Sequence, residues 1–152
     1  NNLEIMMIRL ASIVLFLLLP ISVAFGGGHS QQAGILNISM KVPDTEVALM
    51  DELFAAHEKW IKETHFLSGN EEPVLVSYKV LKSPDFKNPS DPSQGTTGNT
   101  IYVLSEVYER PAGLKKHMDL NFPRGPEMRK IIGKYWPTVT FVAFPEVIAS
   151  YP

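Results

Sequence analysis

Thr100–His117 reads TIYVLSEVYERPAGLKKH, and the change of period inside it decides the fold. Up to Glu109 the segment is rich in β-branched and aromatic residues, the composition of a strand. Pro111 then suits the first turn of a helix carrying Leu114, His117 and Met118. Within the strand, Ile101, Val103, Ser105 and Val107 are small or β-branched and are expected to lie beneath helices. Tyr102, Leu104, Glu106 and Tyr108 alternate with them and are expected on the opposite face. An aromatic face with one carboxylate is poor material for solvent contact, so it predicts a partner surface.

Working upstream, Val74–Lys82 is a second β-rich stretch. The Pro- and Gly-rich Ser83–Asn99 that joins it to the first is expected to be a long loop, acting as a lid or as an arm across a dimer. Gly34–Val42 alternates a mainly polar side with the wholly apolar Leu36, Ile38, Met40 and Val42, again a strand. Pro43-Asp44 opens a helix with Asp44 as its expected cap and Gly69 as its stop. Leu49, Met50, Leu53, Phe54, His57, Trp60, Ile61 and Thr64 form its apolar stripe, and His65 lies beyond the end of that stripe. Downstream, Pro123, Gly125 and Pro126 interrupt the second helix, Glu127–Tyr135 resumes it, and Val139–Ala149 is the last strand. There Pro145 argues for a sheet edge or a bulge. The order β-α-β-β-α-β predicts an α+β, ferredoxin-like domain: an antiparallel sheet with two helices on one face.

Met7–Ser30, MIRLASIVLFLLLPISVAFGGGHS, has the marks of a secretory signal: Arg9, an apolar run, Pro20, and the small-x-small site Ala24-Phe25-Gly26. The expected organisation is residues 1–26 as upstream residues and cleaved signal, 27–33 as a mature tail, and 34–152 as one domain. It implies a secreted or periplasmic product with no stable membrane anchor after cleavage. The formal net charge of -2 and the diluted basic cluster between Arg124 and Lys134 argue against nucleic acid. The absence of Cys removes thiolate chemistry, iron–sulfur clusters and disulfides. No Gly-rich phosphate loop, G-x-S-x-G elbow or zinc motif is present.

Tyr102–His117, YVLSEVYERPAGLKKH, resembles the strand-helix signature of the dimeric α/β-barrel superfamily, and within it the antibiotic biosynthesis monooxygenase-like group. The resemblance implies a homodimer whose two sheets face each other as a barrel. It also implies either cofactor-free oxygenation of phenolic or quinol-like substrates, or haem degradation. His117 falls where such relatives place a histidine facing the cleft between helix and sheet. Tyr108 stands where the haem-degrading and anthrone-oxidising relatives tend to have Trp, and Ser105 replaces an Asn, so the chain departs from the pattern of those two reactions.

The expected function is therefore a cofactor-independent monooxygenase acting on a small phenolic or quinol-type substrate. His117, Glu106 or His57 would remove the phenolic proton, while Tyr102, Tyr108, Trp60 and Tyr78 enclose the ring. Each has a plainer reading: His117 as a packing residue, Glu106 as half of an ion pair across the dimer, His57 as a hydrogen-bonded core histidine. No cofactor is implied and no metal is expected, because His57 and His65 lie about 12 Å apart along a helix, beyond the reach of one ion. The alternative is a non-catalytic dimer of the same fold that binds a small aromatic molecule or serves only interaction.

Overall fold

A computed structural model describes residues 32–149. The expected signal and its cleavage site lie outside the described residues. Seven principal elements follow in order: β1 (Gly34–Pro43), α1 (Val47–Thr64), β2 (Leu75–Phe86), β3 (Thr96–Tyr108), α2 (Pro111–Asp119), α3 (Gly125–Lys134) and β4 (Thr140–Ala143). The strands make one antiparallel sheet in the order β2-β3-β1-β4, so the domain is α+β with an architecture compatible with a ferredoxin-like fold. Among the described residues no helix is long and apolar enough to cross a membrane.

The apolar side of β1 decides which sheet face the helices cover. Leu36, Ile38, Met40 and Val42 are buried in one cluster with Met50, Leu53 and Ile61 of α1, Leu114 of α2 and Ile131 of α3. The register pairs Leu36 with Glu106, Ile38 with Leu104 and Met40 with Tyr102, and paired residues share a face. Tyr102, Leu104, Glu106 and Tyr108 therefore lie beneath the helices, which corrects the sequence expectation for β3. Tyr102 stacks on Phe54 at 5.5 Å, and its hydroxyl donates to Asp51 Oδ1 at 2.8 Å. Large rings fill the gap between a single sheet layer and its helices, and their polar tips find partners there. The face holding Ile101, Val103, Ser105 and Val107 is the half-exposed one.

Local corrections have equally local causes. A 3-10 turn, Asp44–Glu46, precedes α1, and Asp44 does not cap the helix: its Oδ1 accepts the Thr100 hydroxyl at 2.9 Å. Ser83–Asn99 is largely hairpin, because β2 and β3 continue to pair through Ser83 with Ile101, Pro84 with Thr100 and Phe86 with Thr96. Buried Asp85 anchors this extension by accepting Lys41 Nζ at 2.9 Å and the Thr97 hydroxyl at 2.7 Å, so neither a lid nor a free arm forms there. The second helix breaks as expected, into α2 and α3. β4 is an edge strand that stops before Pro145, with Phe144 at a φ of 52°.

Close backbone approach sets the position of α2. A Cβ on Gly113 would stand 2.8 Å from Glu72 Oε2 and 3.1 Å from Tyr108 Cβ. Glycine here lets the turn approach β3 without crowding, and His117 follows one turn later, with its ring 5.6 Å from that of Tyr108.

Candidate functional site

Beyond the apolar stripe of α1 the core becomes polar. His57 comes from α1, Glu106 from β3 and His117 from α2, and one ligating atom of each lies within 4.8 Å of the others. His57 and Glu106 are buried, at 5% and 0% exposure. Aromatic rings wall the group: Trp60 stacks on His57 at 5.4 Å, Phe122 meets His57 edge-on at 5.0 Å, and Tyr108 lies 5.6 Å from the His117 ring. Phe122 and His65 are the members that sequence reasoning missed. Phe122 sits in the break between α2 and α3, where no periodicity marks it.

His65 ends α1 in an extended conformation, which turns its ring back toward the sheet. The hydrogen bonds then assign every ring proton in a chain. Thr64 Oγ1 donates to the Trp60 carbonyl at 2.7 Å, so its lone pair accepts Nδ1–H of His65 at 2.8 Å. A neutral His65 so protonated is an acceptor at Nε2, which takes Nδ1–H of His117 at 3.0 Å. His117 is left with a bare Nε2 lone pair, 3.5 Å from Glu106 Oε2.

Burial keeps these rings neutral: it pulls the pKa of His57 and His65 down to about 4 and, with the two neighbouring imidazoles, that of His117 to about 3. Burial likewise pushes Glu106 up to about 7, partly offset by the Tyr108 hydroxyl, which donates to Oε2 at 2.7 Å. The His117–Glu106 contact is thus a lone pair facing a carboxyl, not a charged pair. The other oxygen, Glu106 Oε1, is buried with no hydrogen-bond partner among the described residues.

Tyr78 connects this interior to solvent. Its hydroxyl lies 3.1 Å from His57 Nδ1, and burial with the nearby Glu106 charge raises its pKa. On its outer side are two open cavities between α1 and β2. One, of about 490 Å³, is lined by Asp51, Phe54, Ala55, Glu58, Tyr78, Lys79, Val80 and Leu81. The other, of about 260 Å³, is lined by Glu58, Ile61, Lys62, His65, Leu67, Leu75 and Tyr78. His57, Glu106 and His117 line neither and sit behind Tyr78 and His65.

The structure therefore brings together His57, Glu106, His117, Tyr108, Trp60 and Tyr78 of the residues expected from sequence. Tyr102 belongs to the other end of the core, engaged with Asp51 and Phe54. Two imidazoles and a carboxylate so arranged suit either proton transfer or cation ligation. No protein-family profile, no curated protein and no solved structure matches this chain.

Proposed function

We propose that the protein is a small-molecule enzyme that takes a proton from a phenolic or quinol-type ligand held between α1 and β2, as the first step of an oxygenation without an organic cofactor. The observation that carries this reading is Glu106 Oε1, a buried carboxylate oxygen with no partner on a group whose pKa is pushed up to about 7. A base is most effective when its pKa lies near the working pH, which favours Glu106 over the three weakly basic imidazoles. Transfer from a phenol of ordinary pKa near 10 costs about 4 kcal/mol to such a carboxylate, against about 8 kcal/mol to an unperturbed one. Tyr78 is the link: it lines both outer cavities, its hydroxyl lies against His57, and the buried cluster would complete the path to Glu106. The phenolate that remains is the better electron donor to dioxygen.

A second reading is non-catalytic binding of a small aromatic molecule in the same groove. It is favoured by the position of the cluster behind Tyr78 and His65 rather than on a cavity wall. Oxygen uptake by chelator-treated protein over a panel of phenols and quinols separates the two. The enzyme reading expects turnover that rises with pH through about 7 and falls by about 10²–10⁴ in Glu106→Gln. Ligand binding without oxygen uptake, equal in both proteins, would leave the binder.

In the same proposal two copies join through the open sheet face, which carries Ile35, Val103, Val107 and Leu81, the last 57% exposed. Strand spacing and rise give this face roughly 500 Å² per copy, about 1,000 Å² in a symmetric pair and near the lower bound of specific interfaces. Sedimentation of wild type and Leu81→Glu tests it: a wild-type monomer at micromolar concentration would remove the dimer and leave the intrachain site intact.

A further inference from the structure

We infer that His57, Glu106 and His117 form a binding site for a late first-row divalent cation, with Zn²⁺ as the reference ion. Their ligating atoms already lie within 4.8 Å of one another, and one edge of the group, His117 Nε2 to Glu106 Oε2, is 3.5 Å. Tetrahedral ligation at about 2.05 Å per bond sets such edges near 3.4 Å, so one edge needs no movement and the others need side-chain shifts of at most about 1.4 Å. Two imidazoles with one carboxylate are a donor set for Zn²⁺, Co²⁺ or Fe²⁺ rather than for Ca²⁺ or Mg²⁺, which prefer oxygen alone.

Two further observations point to a ligand. Glu106 is fully buried, yet Oε1 has no donor among the described residues, a condition that buried carboxylates rarely tolerate and that a cation relieves. In addition, each proposed ligand has an orienting partner, which on Glu106 engages Oε2 and leaves Oε1 free. His117 is oriented by His65 and through it by Thr64, His57 by the Tyr78 hydroxyl, and Glu106 by the Tyr108 hydroxyl. Outer partners that fix the tautomer and the ring plane are the usual company of metal-ligating histidines. The walls of Trp60, Phe122 and Tyr108 exclude water and strengthen the attraction between one carboxylate and a dication.

The inference uses the same side chains as the proton-transfer reading but does not depend on it, since cation and proton compete for Glu106. The test takes the full chain without a polyhistidine tag, stripped with chelator and dialysed. Co²⁺ binding is read from its visible d–d absorption and Zn²⁺ binding from calorimetry, with circular dichroism as the fold control. The expected result is one equivalent per chain, with affinity lowered at least about 100-fold in Glu106→Gln and in His57→Gln/His117→Gln, and by about 10–100-fold in His65→Ala. If the double variant does not fold, the near-isosteric Glu106→Gln decides alone. Absence of binding by folded wild type, or binding that the folded ligand variants leave unchanged, would overturn the site. Metal binding without oxygen uptake in stripped protein defeats only the proton reading, whereas Glu106-dependent uptake in a protein that binds no metal defeats only the cation site.

Discussion

The core beneath the helices has two unlike ends. Toward the start of α1, Val42, Met50, Leu53 and Tyr102 pack together, and the Tyr102 hydroxyl donates to Asp51. Toward the end of α1, the same two layers enclose three histidines, two tyrosines and a glutamate, with one carboxylate oxygen left unpartnered. Each end has a fully enclosed side chain at its centre, Leu53 in one and Glu106 in the other, both 0% exposed. The first end is built for stability, whereas the second holds a group that burial penalises.

The contrast can be broken most sharply at Leu53. Leu53→Ala opens a cavity in the apolar end and is expected to lower stability by about 2–5 kcal/mol in denaturant unfolding, with little dependence on pH. Glu106→Gln should behave in the opposite manner. Because the folded pKa of Glu106 lies above its ordinary 4.5, the folded state holds the extra proton between pH 4.5 and about 7. Its stability contribution is present below 4.5 and is lost as pH rises through about 7. Relative to wild type, Glu106→Gln is thus expected to gain up to about 3 kcal/mol between pH 4.5 and pH 7, and a pH-independent difference would contradict the buried-carboxylate account.

The histidines act with the other sign. Their folded pKa values of about 4, 4 and 3 lie below the ordinary 6.5, so the unfolded chain binds the extra protons in that interval. Wild-type stability should therefore fall as pH drops from 6.5 toward 4, and thermal melts across this range check it. Replacing His57 and His117 together by Gln should flatten the acid limb.

A smaller effect sharpens how the polar end is assembled. Gly113→Ala presses a methyl group on Tyr108 and Glu72, and is expected to cost about 1–3 kcal/mol. Because it lifts α2, it should also raise the His117 pKa, read from the ring proton shifts by NMR. Smallest is His65→Asn, an exchange at a half-buried residue expected to cost about 1 kcal/mol while changing which His117 nitrogen carries the proton.

Much of the fold was legible in particular residues. The apolar alternation of Leu36 to Val42, the stripe from Met50 to Ile61, and Pro111 at a helix start each placed an element, and Pro123, Gly125 and Pro126 marked the break in the second helix, because each is a local rule with a fixed period or a fixed φ. The orientation of β3 was not legible. Tyr102, Leu104, Glu106 and Tyr108 look like an interface when read within one strand. Only their pairing with the apolar side of β1 turns them inward. Asp44 and the 83–99 hairpin were misread for a related reason: the partners, Thr100, Lys41 and Thr97, are remote in sequence or hidden in a Pro-rich stretch.

The candidate residues divide in the same way. His57, His117 and Glu106 stand out by type and by position in their own elements, and the sequence alone nominates them. Two turns of helix separate His57 from His65, and that spacing was the ground for expecting no shared ion. It says nothing of His117, brought beside both rings by the close approach at Gly113. Periodicity acts along a chain and determined the elements and their apolar faces. Proton placement, the orphaned Glu106 oxygen and the meeting of α1, β3 and α2 depend on distances between elements, which only the tertiary structure decides.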